Sequence, residues 1–460
     1  MPIADSREQV ARTMARVAAL DQSGPHLNAV LEWNPEAEVI AAALDHERSV
    51  QGPRSALHGV PVFLKDNIDT ADGCHTSAGC LALADRYAVR DSFVATRLRA
   101  AGAVLCGKTN MTELANFMTD EMPNGYSSRG GQVQHAWRSG AEVSGSSTGS
   151  AVAVAAGYVP IAFGTETCGS IISPASAAGV VGLKPTVGWV SRRGILPISP
   201  SLDTVGPMAR TVSECALAFS LVAGYDPEDP VTGLCRGHAV PGPECCLVTP
   251  GMLEGVRLGV HLLDDTNQPV LLPALHDALD RLSAMGAVLV PVMPPHDEDQ
   301  DLYTLLYHEF RPAMDAALRE RTGGVRSLQG IHDFNVAHAE TCLRYGQTCI
   351  ETALSLERPM LTPDYAAVRA EIRGTMRALE EMFTANRLDA VVSTQTLLAF
   401  SLTACPALTL PVGLDDAMGA PVPVPLVLLG LPFTEAKLLA IAAALESDIG
   451  RTFLPPLGEG

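Results

Sequence analysis

The chain has 460 residues, of which 47% are hydrophobic and 18% charged, with 40 glycines and 33 prolines. That composition belongs to a globular protein and excludes disordered and fibrous classes. A formal charge of −19 opposes nucleic acid as a partner, because a phosphate-rich surface is held by clustered Lys and Arg.

The N-terminus, MPIADSREQV, has no basic start followed by an apolar run, so no secretory leader is expected. Val10, Met14, Val17 and Leu20 recur at helical spacing, and 37–46 continues the theme, so the first fifty residues read as two surface helices. From Val60 the texture changes to short β-branched runs, GVPVFL, AGAVLCG, YVPIAFG and GVVGL, separated by helical or Gly-rich segments, the signature of an α/β sheet. Residues 226–254 are rich in Pro and Gly and read as a long loop, after which GVRLGVHL and AVLVPV bracket a further strand-helix-strand unit. Residues 303–386 read as mostly helical, LDAVVST and PALTLPVG as strands, and TEAKLLAIAAALE as an amphipathic helix with Thr434 as its N-cap.

The longest apolar stretches, 151–164 and 421–433, are broken by Gly or Pro and fall short of the roughly 20 residues that span a bilayer, so no membrane partner is expected. Eleven cysteines, an odd number without regular spacing, do not form a disulfide framework and indicate a reducing compartment, taken as the cytoplasm.

Residues 102–109, GAVLCGKT, match the phosphate-loop pattern through Gly102, Gly107, Lys108 and Thr109. A phosphate cradle needs the residues between its glycines to curl, whereas Ala103, Val104, Leu105 and Cys106 form an apolar run that prefers a buried strand. The expectation is therefore a scaffold strand with Lys108 at its end, and a nucleotide-binding protein using Gly102 to Thr109 is the weaker alternative. A second decoy is Gly145-Ser146-Ser147-Thr148-Gly149, which satisfies the nucleophile-elbow pattern with Ser147 central; the polar HAWRSGAEV before it is not the strand that motif requires. His332 and His338 read as helix-surface residues.

The stretch from Ser144 to Ser170 places two Gly/Ser loops around a small-residue helix and a strand, and loops this poor in side chains can bring backbone N–H groups close to a substrate. GSSTGSAVAVAAG followed by GTETCGSIISPASAAGVVGLKPTVGWVSRRGILPISPSLDTVGPMART resembles the amidase signature family of serine hydrolases. GVPVFLKDNIDT resembles that family's lysine segment, and the similarity continues through GKTNMTELANF, NGYSSRGGQ, SLQGIHDFN, RYGQ, LDAVVST and CPALTLPVG, most like the bacterial peptide amidase branch.

The resemblance implies an α/β amidase signature fold with a mixed, twisted central sheet covered by helices. It implies one domain over 1–460: N-terminal helices in 1–55, a signature core in 60–215, and a helical segment with the remaining sheet in 255–460. It makes Ser170 the nucleophile, Ser146 the bridging serine after a cis peptide, and Lys65 the base, with the amides of Thr167, Cys168, Gly169 and Ser170 as the oxyanion hole.

Chemistry supports that assignment, since a serine hydroxyl needs a base and a lysine is one only where burial keeps it neutral. Pro61 to Leu64 could desolvate Lys65; taken alone, this lysine also reads as a strand-end residue ion-paired with Asp66. Cys168 and Ile172 stand where many relatives have Gly and Arg, and neither touches the three catalytic positions.

The implied activity is hydrolysis of a carboxamide or related C–N bond, in a peptide amide, aryl amide or carbamate, with a small-molecule amide as partner and no metal or organic cofactor, by a monomer or homodimer. The alternative is a glutaminase-type component of an amidotransferase complex. Residues 124–132 and 300–337 are expected to shape the pocket.

Overall fold

The apolar runs become strands because they can be covered on both faces. In the computed structural model, which describes residues 5–263, 268, 270, 272–295, 299–416 and 419–458, Pro61–Lys65, Val104–Thr109 and Ile161–Glu166 are buried at every position. Unbroken burial without alternation is the pattern of strands sandwiched between helices.

Eleven strands form one sheet in the order Val30–Trp33, Val104–Thr109, Pro61–Lys65, Ile161–Glu166, Thr204–Ala209, Val181–Lys184, Ala407–Asp415, Val422–Leu429, Ala390–Ser393, Arg257–Val260 and Val288–Pro291. Pro61–Lys65 lies parallel between Val104–Thr109 and Ile161–Glu166. The other pairings mix parallel and antiparallel, so the sheet is mixed, as the family resemblance implies.

Three strands of this sheet escaped the sequence patterns. The first fifty residues contain the two helices, Ser6–Leu20 and Ala37–Gln51, but also the strand Val30–Trp33 between them, a four-residue run too short to carry a period. Thr204–Ala209 contains Pro207, and Val422–Leu429 contains Pro423 and Pro425, residues that argue against a strand because they cannot donate to a ladder. The last strand accommodates its prolines beside a register shift between Pro411 and Gly413 of the neighbouring strand. Residues 226–254 are irregular but for two short 3-10 helices. Thr434 stands before the helix Glu435–Ile449 without capping it: its hydroxyl donates to the Leu431 carbonyl (2.7 Å).

The helical region packs its own core. Leu305, Phe310 and Met314 of the helix Asp299–Arg319 meet Leu328, Ile331 and Ile350 of the following helices, and Met111 and Phe117 from the segment after Val104–Thr109 enter the same cluster. Phe117 and Phe310 cross edge-on with ring centroids 5.1 Å apart. Among the described residues no helix is long and apolar enough to cross a membrane.

Two glycines let backbones meet where a side chain cannot fit. A Cβ on Gly149, in the buried helix Thr148–Ala155, would overlap the carbonyl oxygens of Asn110 and Ala29. Gly107 has φ +146°, and a Cβ there would overlap the Glu32 carbonyl oxygen. Gly107→Ala is expected to destabilise the fold by about 1–3 kcal/mol through the strained backbone. Urea unfolding measures it, with Gly233→Ala, where the added Cβ meets nothing within 4 Å, as a control that stays within about 0.5 kcal/mol.

Candidate active site

Lys65 ends the central parallel strand, and Leu64 stands beside Phe163 in the neighbouring strand. That register puts Lys65 next to Thr165, and the Lys65 Nζ lies 2.9 Å from Thr165 Oγ1 and 3.2 Å from the Thr165 carbonyl oxygen. Its third neighbour is Ser146 Oγ at 2.7 Å. Asn67 Nδ2 donates to the same Thr165 hydroxyl (3.0 Å), which fixes that oxygen as an acceptor. A neutral amine has two N–H donors and one lone pair; with both donors spent on Thr165, the lone pair is left for the hydroxyl of Ser146.

Lys65 is wholly buried, and burial pushes its amine down to about 7, against the opposing pull of the Asp203 and Glu166 carboxylates. Asp66 is not its counterion. Its carboxylate accepts from the Gly79 amide (2.9 Å) and the Ser77 hydroxyl and lies 3.5 Å from Arg129 Nη1, so the ion-pair alternative fails on geometry.

Ser146 follows a cis peptide bond from Gly145. Ser147 is fully occupied, donating to the Thr165 carbonyl (3.0 Å) and accepting from the Thr165 amide (3.2 Å), and its own amide donates to the Ser170 carbonyl (3.1 Å). The segment before it is turn and bend, so no strand feeds a nucleophile elbow. Ser170 is 8% exposed, and its hydroxyl makes no hydrogen bond among the described residues. The structure thus joins Lys65 to Ser146 by a direct hydrogen bond and brings Ser170 beside them through Ser147, without a direct bond from Ser170 to Ser146.

Thr167 to Ser170 form the turn between the strand Ile161–Glu166 and the helix Ile172–Ala178. Glu166 pins the far side, its Oε2 accepting from the amides of Ile171 (2.6 Å) and Ile172 (2.9 Å). Gly169 has φ +80°, a left-handed conformation that glycine adopts without strain. Thr167 Oγ1 donates to Asp203 (2.6 Å), and burial raises that carboxyl to about 6. Asp203 also lines a cavity of about 530 Å³ whose wall includes Ala313, Ala316 and Ala317 of the helix Asp299–Arg319.

Thr165, Asn67, Glu166 and Asp203 were not singled out from the sequence. The cue for the first and third was available: the apolar run IAFG ends in the polar TET. Ile172 is buried among Leu379, Phe383 and Phe400, which suits an aliphatic residue and not an arginine.

The phosphate-loop match is a strand, as expected, and Lys108 lies at its end as the buried penultimate residue. Its Nζ donates to the Ile68 carbonyl and to Thr76 Oγ1 (3.0 Å), which leaves no cradle for a nucleotide. His332 and His338 lie on and just beyond the helix Leu328–Ala337, away from the core.

An amidase family model matches residues 8–400. The fold superimposes on the crystal structure of the native peptide amidase from Stenotrophomonas maltophilia with a TM-score of 0.92 at 38% identity, covering 99% of this chain and 96% of that one. A probable amidase of Arabidopsis thaliana is 35% identical over 93% of this chain and 84% of its own length. A glutamyl-tRNA(Gln) amidotransferase subunit of Chloroflexus aggregans is 31% identical over 94% of this chain and 92% of its own length.

A lysine with a lowered folded pKa burdens the fold when protonated. The unfolded chain holds that proton up to the ordinary value of 10.5, so between about pH 7 and 10.5 folding releases it and stability rises with pH. Lys65→Met is therefore expected to be more stable than the parent chain at pH 7, by an advantage that shrinks by a few kcal/mol toward pH 10, roughly 1.4 kcal/mol per pH unit. Paired denaturant titrations at the two pH values measure it.

Proposed function

The chain belongs to the amidase family and hydrolyses amide C–N bonds, and we propose that it does so through an acyl-enzyme on Ser170, with Ser146 and Lys65 as the proton relay. The observation that carries this reading is the buried Lys65 amine 2.7 Å from the Ser146 hydroxyl with no carboxylate in ion-pairing range among the described residues. Ser170 Oγ attacks the amide carbon while its proton passes to Ser146, and the Ser146 proton passes to Lys65. The new C–O bond leaves an oxyanion, which the amides of Thr167, Cys168, Gly169 and Ser170 stabilise in a turn held at both ends by Asp203 and Glu166. The proton returns through Ser146 to the departing nitrogen as the C–N bond breaks. Water then attacks the ester by the same relay, releasing the acid and restoring Ser170.

Among substrates, we favour a peptide amide, supported by the 38% identity and near-complete coverage shared with the peptide amidase. A glutaminase-type role within an amidotransferase complex is the second reading, supported by the 31% identity to an amidotransferase subunit. We further propose that the chain acts as one domain, alone or as a homodimer, and in the cytoplasm, where its eleven free cysteines stay reduced.

Fluorophosphonate labelling followed by peptide mass spectrometry is expected to modify Ser170 and neither Ser146 nor Ser147. Ser170→Ala is expected to lose roughly 10⁶-fold in kcat on a peptide amide. Full turnover in that variant would refute the acyl-enzyme, and turnover of glutamine in preference to peptide amides would select the second reading. The kcat/KM profile is expected to fall below about pH 7 as Lys65 gains a proton and can no longer accept one.

A further inference from the structure

The turn that carries the oxyanion amides is tied to a carboxylate in the helical region by a short chain of bonds. Thr167 Oγ1 donates to Asp203 Oδ1 (2.6 Å). Asp203 Oδ2 accepts from the amides of Ile198 and Ser199 (both 2.9 Å). Ser199 in turn gives its hydroxyl to Glu309 Oε2 (2.6 Å), which also accepts from the Ser201 amide (3.1 Å). Glu309 Oε1 accepts from the Ser201 hydroxyl (2.6 Å) and the Tyr365 hydroxyl (2.8 Å), and Arg369 Nη1 stands 3.8 Å away while donating to Ser201 Oγ (2.5 Å).

The links from Thr167 to Glu309 are buried: Ser199 is inaccessible, Glu309 is 1% exposed and Asp203 6%. Glu309 sits on the helix Asp299–Arg319, and Tyr365 and Arg369 sit on the helix Pro363–Asn386. A buried carboxylate is tolerated only where donors satisfy it, and Glu309 meets that requirement with four hydrogen bonds, three of them from Ser199 and Ser201. Glu309, Tyr365 and Arg369 thus reach this turn from helices more than a hundred positions beyond it in the chain.

We propose that Glu309 is a positioning residue for amide hydrolysis: by holding Ser199 and Ser201 it fixes Asp203, and through Asp203 and Thr167 it sets the turn 167–170 that receives the oxyanion. It touches no reacting atom. Its effect falls on the chemical step, because substrate binding does not require the oxyanion contacts that form only in the transition state. The proposal rests on Ser170 as nucleophile, and the test separates the two.

The experiment titrates active enzyme with a fluorophosphonate and measures kcat and KM on one peptide amide for Glu309→Gln, Tyr365→Phe, Thr167→Val and the double variant Glu309→Gln/Thr167→Val. Glu309→Gln, which keeps shape and loses charge, is expected to lower kcat per titrated site by about tenfold or more, on the scale of roughly 10²-fold that an ångström of misplacement costs. KM is expected to stay within about twofold, because ground-state binding is retained. Tyr365→Phe removes one donor at the outer end of the network and is expected to lower kcat in the same sense by a smaller factor. The double variant is expected to fall no further than the worse single variant, since both act on one turn.

A purely structural role for Glu309 would lower the fraction of titratable sites and leave kcat per site unchanged, and that result overturns the proposal. So would multiplicative losses in the double variant. Failure of the parent chain to label at Ser170 would instead overturn the nucleophile assignment on which the proposal stands.

Discussion

Burying an amine without a carboxylate against it is the constraint on which the site depends. The chain has four lysines, and Lys65, Lys108 and Lys184 are all inaccessible. Lys108 is held by the Ile68 carbonyl and the Thr76 hydroxyl, and Lys184 by the Cys405 carbonyl (2.6 Å) and the Pro185 carbonyl (3.3 Å). Lys65 alone among the three faces a serine hydroxyl. Desolvation costs a charged amine far more than a neutral one, so the same burial that weakens Lys65 as a cation makes it a proton acceptor near neutral pH.

That burial is a property of the sheet. Lys65 is desolvated because its strand lies inside, flanked in parallel by two strands that are buried throughout, and it is aimed by a register that sets Leu64 against Phe163. Thr165 then serves three groups at once: it takes both amine donors of Lys65, the amide of Asn67 and the hydroxyl of Ser147. The small residues of the helix Thr148–Ala155 let this arrangement close, since Gly149 packs directly on backbone carbonyls and Ser150 donates to the Phe163 carbonyl (3.0 Å).

Much of this was legible in the letters. The apolar run before Lys65, the paired Gly/Ser loops and the strand character of GAVLCGKT all rest on local composition, and the resemblance to the amidase family placed Ser146 and Ser170. What local pattern does not encode is alignment between distant segments. Thr165 matters only because of strand register, and Asp203 and Glu309 only because a turn and a helix far along the chain are tied to the turn 167–170. The strands with Pro207, Pro423 and Pro425 were hidden for the converse reason: neighbouring strands supply the context in which a proline is tolerated, and single-segment rules count it as a breaker.

The most direct test of the account is the titration of Lys65 itself. With lysine labelled at Cε with ¹³C, four resonances are expected, and the one absent from Lys65→Met identifies the residue. That resonance is expected to titrate with a midpoint at about 7, as burial without a counterion requires. A midpoint at the ordinary lysine value of 10.5 would mean that Lys65 is a cation throughout the neutral range, and a base at that position would be contradicted.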